Sequence, residues 1–258
     1  MGAAGAFVVS LRRASRAWLA GVLMTLAACA TAPPTEGGAV DEANDPLEPV
    51  NRGIFAFNRT IDGLLLKPAA QIYRGVVPEE GRKGVHNLLV NWTSPVTFLN
   101  DILQGDMDRA TVTLGRFFIN TGFGFGGLLD VATAWGAEPA RDEDFGQTLA
   151  VWGVGEGPYL MLPILGPSNP RDAVGRAVDA LSDPLSYVLL GTEGRLARAA
   201  ATAVDTRSRY LDRIDELERA SIDFYAALRS LYRQSRDAEI RNGEVDVDYL
   251  PAIESVDE

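Results

Sequence analysis

Apolar residues return every three or four positions along most of this chain, the period of helices with one dry face. From 46 to 66, Leu47, Val50, Ile54, Phe57, Ile61 and Leu64 keep that period, while Asn51, Arg52, Asn58, Arg59 and Asp62 fall largely elsewhere. The pattern predicts a helix with its apolar stripe against a core. Phe55, Leu65 and Leu66 hint at a second face out of water. Asp45-Pro46-Leu47-Glu48 marks the start: an acceptor at the N-cap, proline at the first helical position and a carboxylate at the third. The signal recurs at Ser94-Pro95, Asn169-Pro170 and Asp183-Pro184, with a poorer version at Val77-Pro78.

Repeated helix starts and few alternating strand runs predict an all-α chain. Helices are expected at 46–66, 78–92, 95–104, 106–121, 143–151, 170–181, 184–190, 193–203 and 206–241. The last carries a heptad seam, Tyr210, Ile214, Leu217, Ser221, Phe224, Leu228 and Leu231, flanked by Arg213, Glu216, Glu218 and Arg229. At about three heptads it suits packing within the chain better than a coiled-coil dimer.

Two glycine-rich stretches interrupt the helices. Gly122 to Gly127 fits G-x-G-x-x-G but follows a helix and has no βαβ setting, so it reads as a tight apolar junction, not a nucleotide loop. The second, Gly153-Val154-Gly155-Glu156-Gly157-Pro158-Tyr159, leads into Leu160 to Pro167. A loop that long is either functional or a short strand pair.

The N-terminus has a different order. Arg12, Arg13 and Arg16 precede an apolar run from Ala17 to Ala28, broken only by Thr25, which closes on Leu26-Ala27-Ala28-Cys29. That is a secretory signal, residues 1–28, ending in the lipobox of a bacterial lipoprotein, with Cys29 as the acylated first residue. The residues after Arg13 are not those of a twin-arginine signal. Cys29 is the single cysteine, so no thiol is left for a disulfide or a metal. Ala30, where Asp would retain many lipoproteins in the inner membrane, points to the outer membrane. Residues 29–44 read as a flexible tether, 45–241 as a helical domain and 242–258 as an acidic, disordered tail.

Loss of residues 1–28 removes three positive charges and no negative ones, moving the net charge from −11 to −14. Nucleic acid is thereby an improbable partner, and so is a lipid surface held through a basic patch. Enzyme chemistry is poorly supplied. His86 is the single histidine, and one histidine with one lipidated cysteine makes no usual zinc site. Ser168, in Gly166-Pro167-Ser168-Asn169-Pro170, lacks the last glycine of a nucleophile elbow. No carboxylate pair stands out, and no cofactor is expected beyond the acyl lipid on Cys29.

Several long motifs resemble one family. Asp45-Pro46-Leu47-Glu48-Pro49-Val50-Asn51-Arg52, Phe57-Asn58, Leu103-Gln104-Gly105-Asp106, Arg116-Phe117-Phe118-Ile119-Asn120-Thr121 and Gly126-Gly127-Leu128-Leu129-Asp130-Val131-Ala132 occur in colinear order. Phe145-Gly146-Gln147-Thr148-Leu149, Trp152 to Tyr159 and Leu162 to Pro167 follow. Together they are similar to the MlaA (VacJ) lipoproteins over about residues 45–190, with a looser echo at Asp205-Thr206-Arg207.

The resemblance implies a single ring-like helical domain embedded in or on the inner leaflet of the outer membrane, often beside a trimeric porin. It implies an amphipathic channel through which phospholipid mislocalised to the outer leaflet passes to the periplasmic carrier MlaC, keeping the membrane asymmetric, with no bond made or broken. Within helix 106–121, Arg116 and Asn120 lie one turn apart and are the candidate headgroup contacts, with Asn58 on the first helix. The alternative for Arg116 is an ion pair with an acidic side chain. Gly153, Gly155, Gly157, Pro158 and Tyr159 are the candidate flexible channel edge. The competing function is an envelope scaffold that binds a porin or another protein and moves no lipid.

Overall fold

The computed structural model describes residues 44–188 and 190–242. The expectations for the signal segment, Cys29, the tether up to residue 43 and the tail from 243 onward lie outside the described residues.

The chain is all-α, as its periodicity predicts. In order come α1 (Glu48–Ile61), a π-helical turn (Asp62–Leu66), α2 (Lys67–Val76), α3 (Glu79–Gln104), α4 (Met107–Phe123), a 3-10 turn (Phe125–Gly127), α5 (Val131–Ala134) and α6 (Phe145–Val151). Strands β1 (Leu160–Leu162) and β2 (Gly166–Ser168) form an antiparallel hairpin, pairing Leu160 with Ser168 and Leu162 with Gly166. The last elements are α7 (Pro170–Ser182), α8 (Pro184–Val188), α9 (Thr192–Arg209), α10 (Leu211–Ala220) and α11 (Phe224–Ile240). The long glycine loop is therefore in part the short strand pair.

Helices α3 and α4 pack along each other, α6 on α7 and α2 on α9. The α6–α7 contact needs glycine on both sides: a Cβ on Gly175 would sit 2.3 Å from the backbone nitrogen of Gly146. Against that junction α11 lays Arg236, which bonds both oxygens of Asp144 (each 2.7 Å) and of Asp172 (2.9 and 3.1 Å). Burial works to raise both aspartates, and the hydrogen bonds and charge of Arg236, with Tyr232 on Asp172, hold them below the ordinary range. A small apolar cluster of Tyr159, Met161 and Tyr225, backed by Ile54, Phe55, Leu228 and Tyr232, ties α1, the hairpin and α11 together.

Four expectations are corrected. First, α1 starts at Glu48, with Pro49 in its first turn and no side-chain cap. The Asp45 carboxylate is spent elsewhere, on Asn51, Tyr225 and Arg229. The helical path also continues past 66 to Val76, because the π turn takes up one extra residue just before Pro68, which has no N–H to give. Second, Ser94-Pro95 starts nothing: α3 runs unbroken through Pro95. Thr93 and Ser94 donate back to Leu89 and Val90 instead of capping, and packing along α4 offsets the lost backbone bond.

Third, the long C-terminal helix and its heptad seam are cut. Helix α9 runs on through 204 to Arg209, and the chain breaks again at Ser221, whose extended backbone precedes an Asp223 cap accepting from Ala226. Fourth, the α1 stripe faces a core only in part, through Ile54. Val50, Phe57 and Leu64 are exposed, whereas Asn51 is buried and Phe55 packs inside. Period locates a stripe without saying what solvent it meets.

Candidate functional site

Helix α4 shows the same inversion most clearly. Its buried positions are Arg109, Ala110, Thr113, Arg116 and Asn120, while Met107, Leu114, Phe118 and Phe123 stand exposed. Asp106 caps the helix by accepting from the Arg109 N–H at 2.9 Å, and this cap fixes the phase that turns the polar residues inward.

Between α3, α4 and the segment carrying α5 lies a cavity of about 290 Å³, with His86, Asn91, Ser94, Arg116, Asn120 and Asp130 in its wall. Arg116 makes a two-pronged pair with Asp130 (2.8 and 2.9 Å) and donates to the Thr133 hydroxyl (2.9 Å) and the Glu138 carbonyl (2.8 Å). Asn120 donates to Asp130 at 3.1 Å and accepts from the Ala132 N–H at 2.9 Å. Burial works to raise the Asp130 carboxyl, but hydrogen bonds from Thr133, Arg116 and Asn120 outweigh it and hold the group below its usual range. The glycine junction packs against Asn91 of that wall: Gly127, at φ +108°, leaves room for Asn91, whose amide reaches Thr121 and the Gly126 carbonyl.

The sequence-derived candidates fall in two places. Arg116 and Asn120 do share a cavity wall, but the guanidinium is tied to Asp130, so the ion-pair alternative describes it. Asn58 works with the glycine loop: it donates to the Leu162 carbonyl (2.8 Å) and accepts from the Ile164 N–H (2.7 Å). Asn51, two turns earlier, does the same with Tyr159 (3.0 Å) and Met161 (2.9 Å). The pair holds the hairpin as a neighbouring strand would. Gly153 and Gly157 adopt left-handed conformations, and Tyr159 is buried in the apolar cluster. Asp130, Asn91, His86 and Asn51 were not among the sequence-derived site candidates. The available signals were Asp130 three residues before Thr133, a cap pattern, and the seven-residue spacing of Asn51 and Asn58.

Among the described residues, buried polar and charged side chains outnumber buried apolar ones, large apolar side chains crowd the surface, and no group of acidic, histidine or cysteine residues could hold a metal. No helix there is long and apolar enough to cross a membrane. Fold and site together define a predominantly helical protein with an ion-paired cavity and many large apolar side chains on its exterior.

The chain belongs to the MlaA lipoprotein family, whose sequence profile matches residues 43–239. It is 34% identical over 210 residues to the intermembrane phospholipid transport system lipoprotein MlaA of Haemophilus influenzae, covering 80% of this chain and 83% of that one. To the protein of the same description from Escherichia coli it is 34% identical over 216 residues, 83% of this chain and 85% of the other. An uncharacterized protein of Rickettsia bellii is 37% identical over 201 residues, 78% of each. A solved structure described as the structural basis for maintenance of bacterial outer membrane lipid asymmetry superposes with a TM-score of 0.68 at 37% identity, over 76% of this chain and 98% of that one.

Proposed function

We propose that this protein is anchored through acylated Cys29 to the inner leaflet of the outer membrane. There it gives mislocalised outer-leaflet phospholipids a polar route and passes them to the periplasmic carrier MlaC, beside a trimeric porin, without making or breaking a bond. The observation that carries this reading is the inverted helices. An apolar exterior such as Val50 and Phe57 on α1, Leu64 in the π-helical turn, or Leu114, Phe118 and Phe123 on α4, is costly in water and suits hydrocarbon. An interior lined by Asn91, Ser94, Arg116 and Asn120 supplies what hydrocarbon lacks. A charged headgroup crossing unaided costs several kcal/mol, and a hydrogen-bonding wall lowers that barrier.

The family relationship supports the reading, since the H. influenzae and E. coli relatives carry phospholipid transport in their descriptions. The test is outer-leaflet phospholipid labelling in cells lacking the gene, complemented by wild type or by Cys29→Ala. Accumulation rescued by wild type alone is expected. No accumulation, with redundant pathways controlled, would move the assignment to an envelope scaffold.

A further inference from the structure

A second, open space of about 330 Å³ lies where the ends of α2, α3 and α9 meet, and four cations line it: Arg74, Arg82, Lys83 and Arg209, with Glu79, Asp205 and Ser208. On a chain of net charge −11 such a gathering runs against the average. The state of each cation matters more than the count. Arg82 donates through Nη1 to the carbonyls of Arg74 (2.7 Å) and Val77 (3.4 Å). Among the described residues no carboxylate forms a salt bridge with it. Arg74 pairs with Asp212, which is 81% exposed, and Lys83 with Glu79 and Glu80, at 68% and 85%. Exposed pairs of this kind are weak and exchange readily for a phosphate, which offers an arginine two oxygens at once.

Arg209 is held by the buried Asp205 at 3.1 Å, and the same carboxylate faces His86 Nδ1 at 3.2 Å. His86 also lines the polar cavity behind it. The His86–Asp205 pair is thus a partition with the cavity on one side and the cationic cleft on the other. Elsewhere on α2, two residues either side of Arg74, Ile72 and Val76 are 66% and 74% exposed. A free anion has no use for that surface, and the overall negative field repels it. An acyl chain has.

We propose that this cleft binds the phosphate of a membrane phospholipid, as a headgroup recognition point just outside the polar cavity. The proposal rests on the phospholipid-transport reading and assigns the phosphate contact to Arg82, Lys83, Arg74 and Arg209, where Arg116 is already neutralised.

The test is titration of the full-length protein in detergent with three probes: dihexanoyl phosphatidylglycerol, inorganic phosphate, and dihexanoylglycerol, which has no phosphate. The phosphatidyl probe is expected to bind about tenfold tighter than phosphate, and dihexanoylglycerol not above background. Arg82→Gln should weaken it about tenfold. Because Arg82 also fastens the end of α2, the exposed double variant Arg74→Gln/Lys83→Gln, with an unchanged melting temperature, carries the same expectation. Undiminished binding by that double variant, or equal binding of the phosphate-free probe, overturns the proposal. Equal binding of inorganic phosphate overturns the lipid assignment. Vesicle-to-carrier lipid transfer by wild type is measured alongside: transfer with unaffected cleft variants sinks the cleft alone, whereas absent transfer sinks the transport reading.

Discussion

Replacing Arg116 by alanine separates a wall-building residue from one that handles lipid. Its side chain is 8% exposed and that of Asp130 30%, so removing the guanidinium strands a half-buried carboxylate and frees the Thr133 hydroxyl and Glu138 carbonyl. Breaking one side of a fully buried pair costs about 3–5 kcal/mol. Asp130 retains Asn120, Thr133 and some water, which lowers the figure to about 3 kcal/mol. For a domain of this size that is a fall in Tm of about 6–12 °C. The assay is urea and thermal unfolding in detergent, with Asp130→Asn completing a double-mutant cycle whose coupling should reach about 2 kcal/mol. A loss under about 0.5 kcal/mol together with collapsed lipid transfer would refute the reasoning and return Arg116 to the lipid path.

Three further outcomes are expected. Gly175→Ala should cost about 3 kcal/mol or more in unfolding free energy, because its Cβ meets the backbone of Gly146 at 2.3 Å, whereas Gly115→Ala, with open space inside α4, should gain about 0.5–1 kcal/mol. Asn51→Ala should lose about 2 kcal/mol and loosen residues 159–162, seen as faster amide hydrogen exchange at Met161, while nearby exposed Val50→Ala leaves that rate unchanged. Unfolding midpoints followed with pH should split two groups of carboxylates. Asp101, Glu143 and Asp179 are raised by burial, so their stabilisation is fully present below the ordinary carboxylate pKa and is lost as pH rises through their elevated folded values; Glu143→Gln should remove that share of the decline. Asp130, Asp144 and Asp172 are lowered, so theirs is present above the ordinary pKa and lost as pH falls through the depressed values.

Local chemistry was the readable part of this fold. Asn169 and Asp183 cap α7 and α8 as their Asn-Pro and Asp-Pro steps predict, because a cap needs only the next few residues. Pro95 inside α3 and the break at Ser221 were not readable, since each is decided by packing or by a rival cap from outside the window. The direction of the apolar stripes was also hidden: Asn51 is buried and its neighbour Val50 exposed. At the site, Arg116 and Asn120 were visible as a one-turn pair, but Asp130, which neutralises the arginine, comes from beyond the glycine junction. The cationic cleft draws on three helices, and a net charge averages it away.

Asp45 opens the folded part and is bonded at once by Asn51 of the first helix and by Tyr225 and Arg229 of the last. Tension transmitted along the chain from its N-terminal side meets this carboxylate where the folded part begins. The bonds that resist it converge there and are loaded in parallel, so they must fail together, where a helix end pulled from its tip would peel turn by turn. A tug on that carboxylate is thus shared between the first helix and the last, the two ends of the domain.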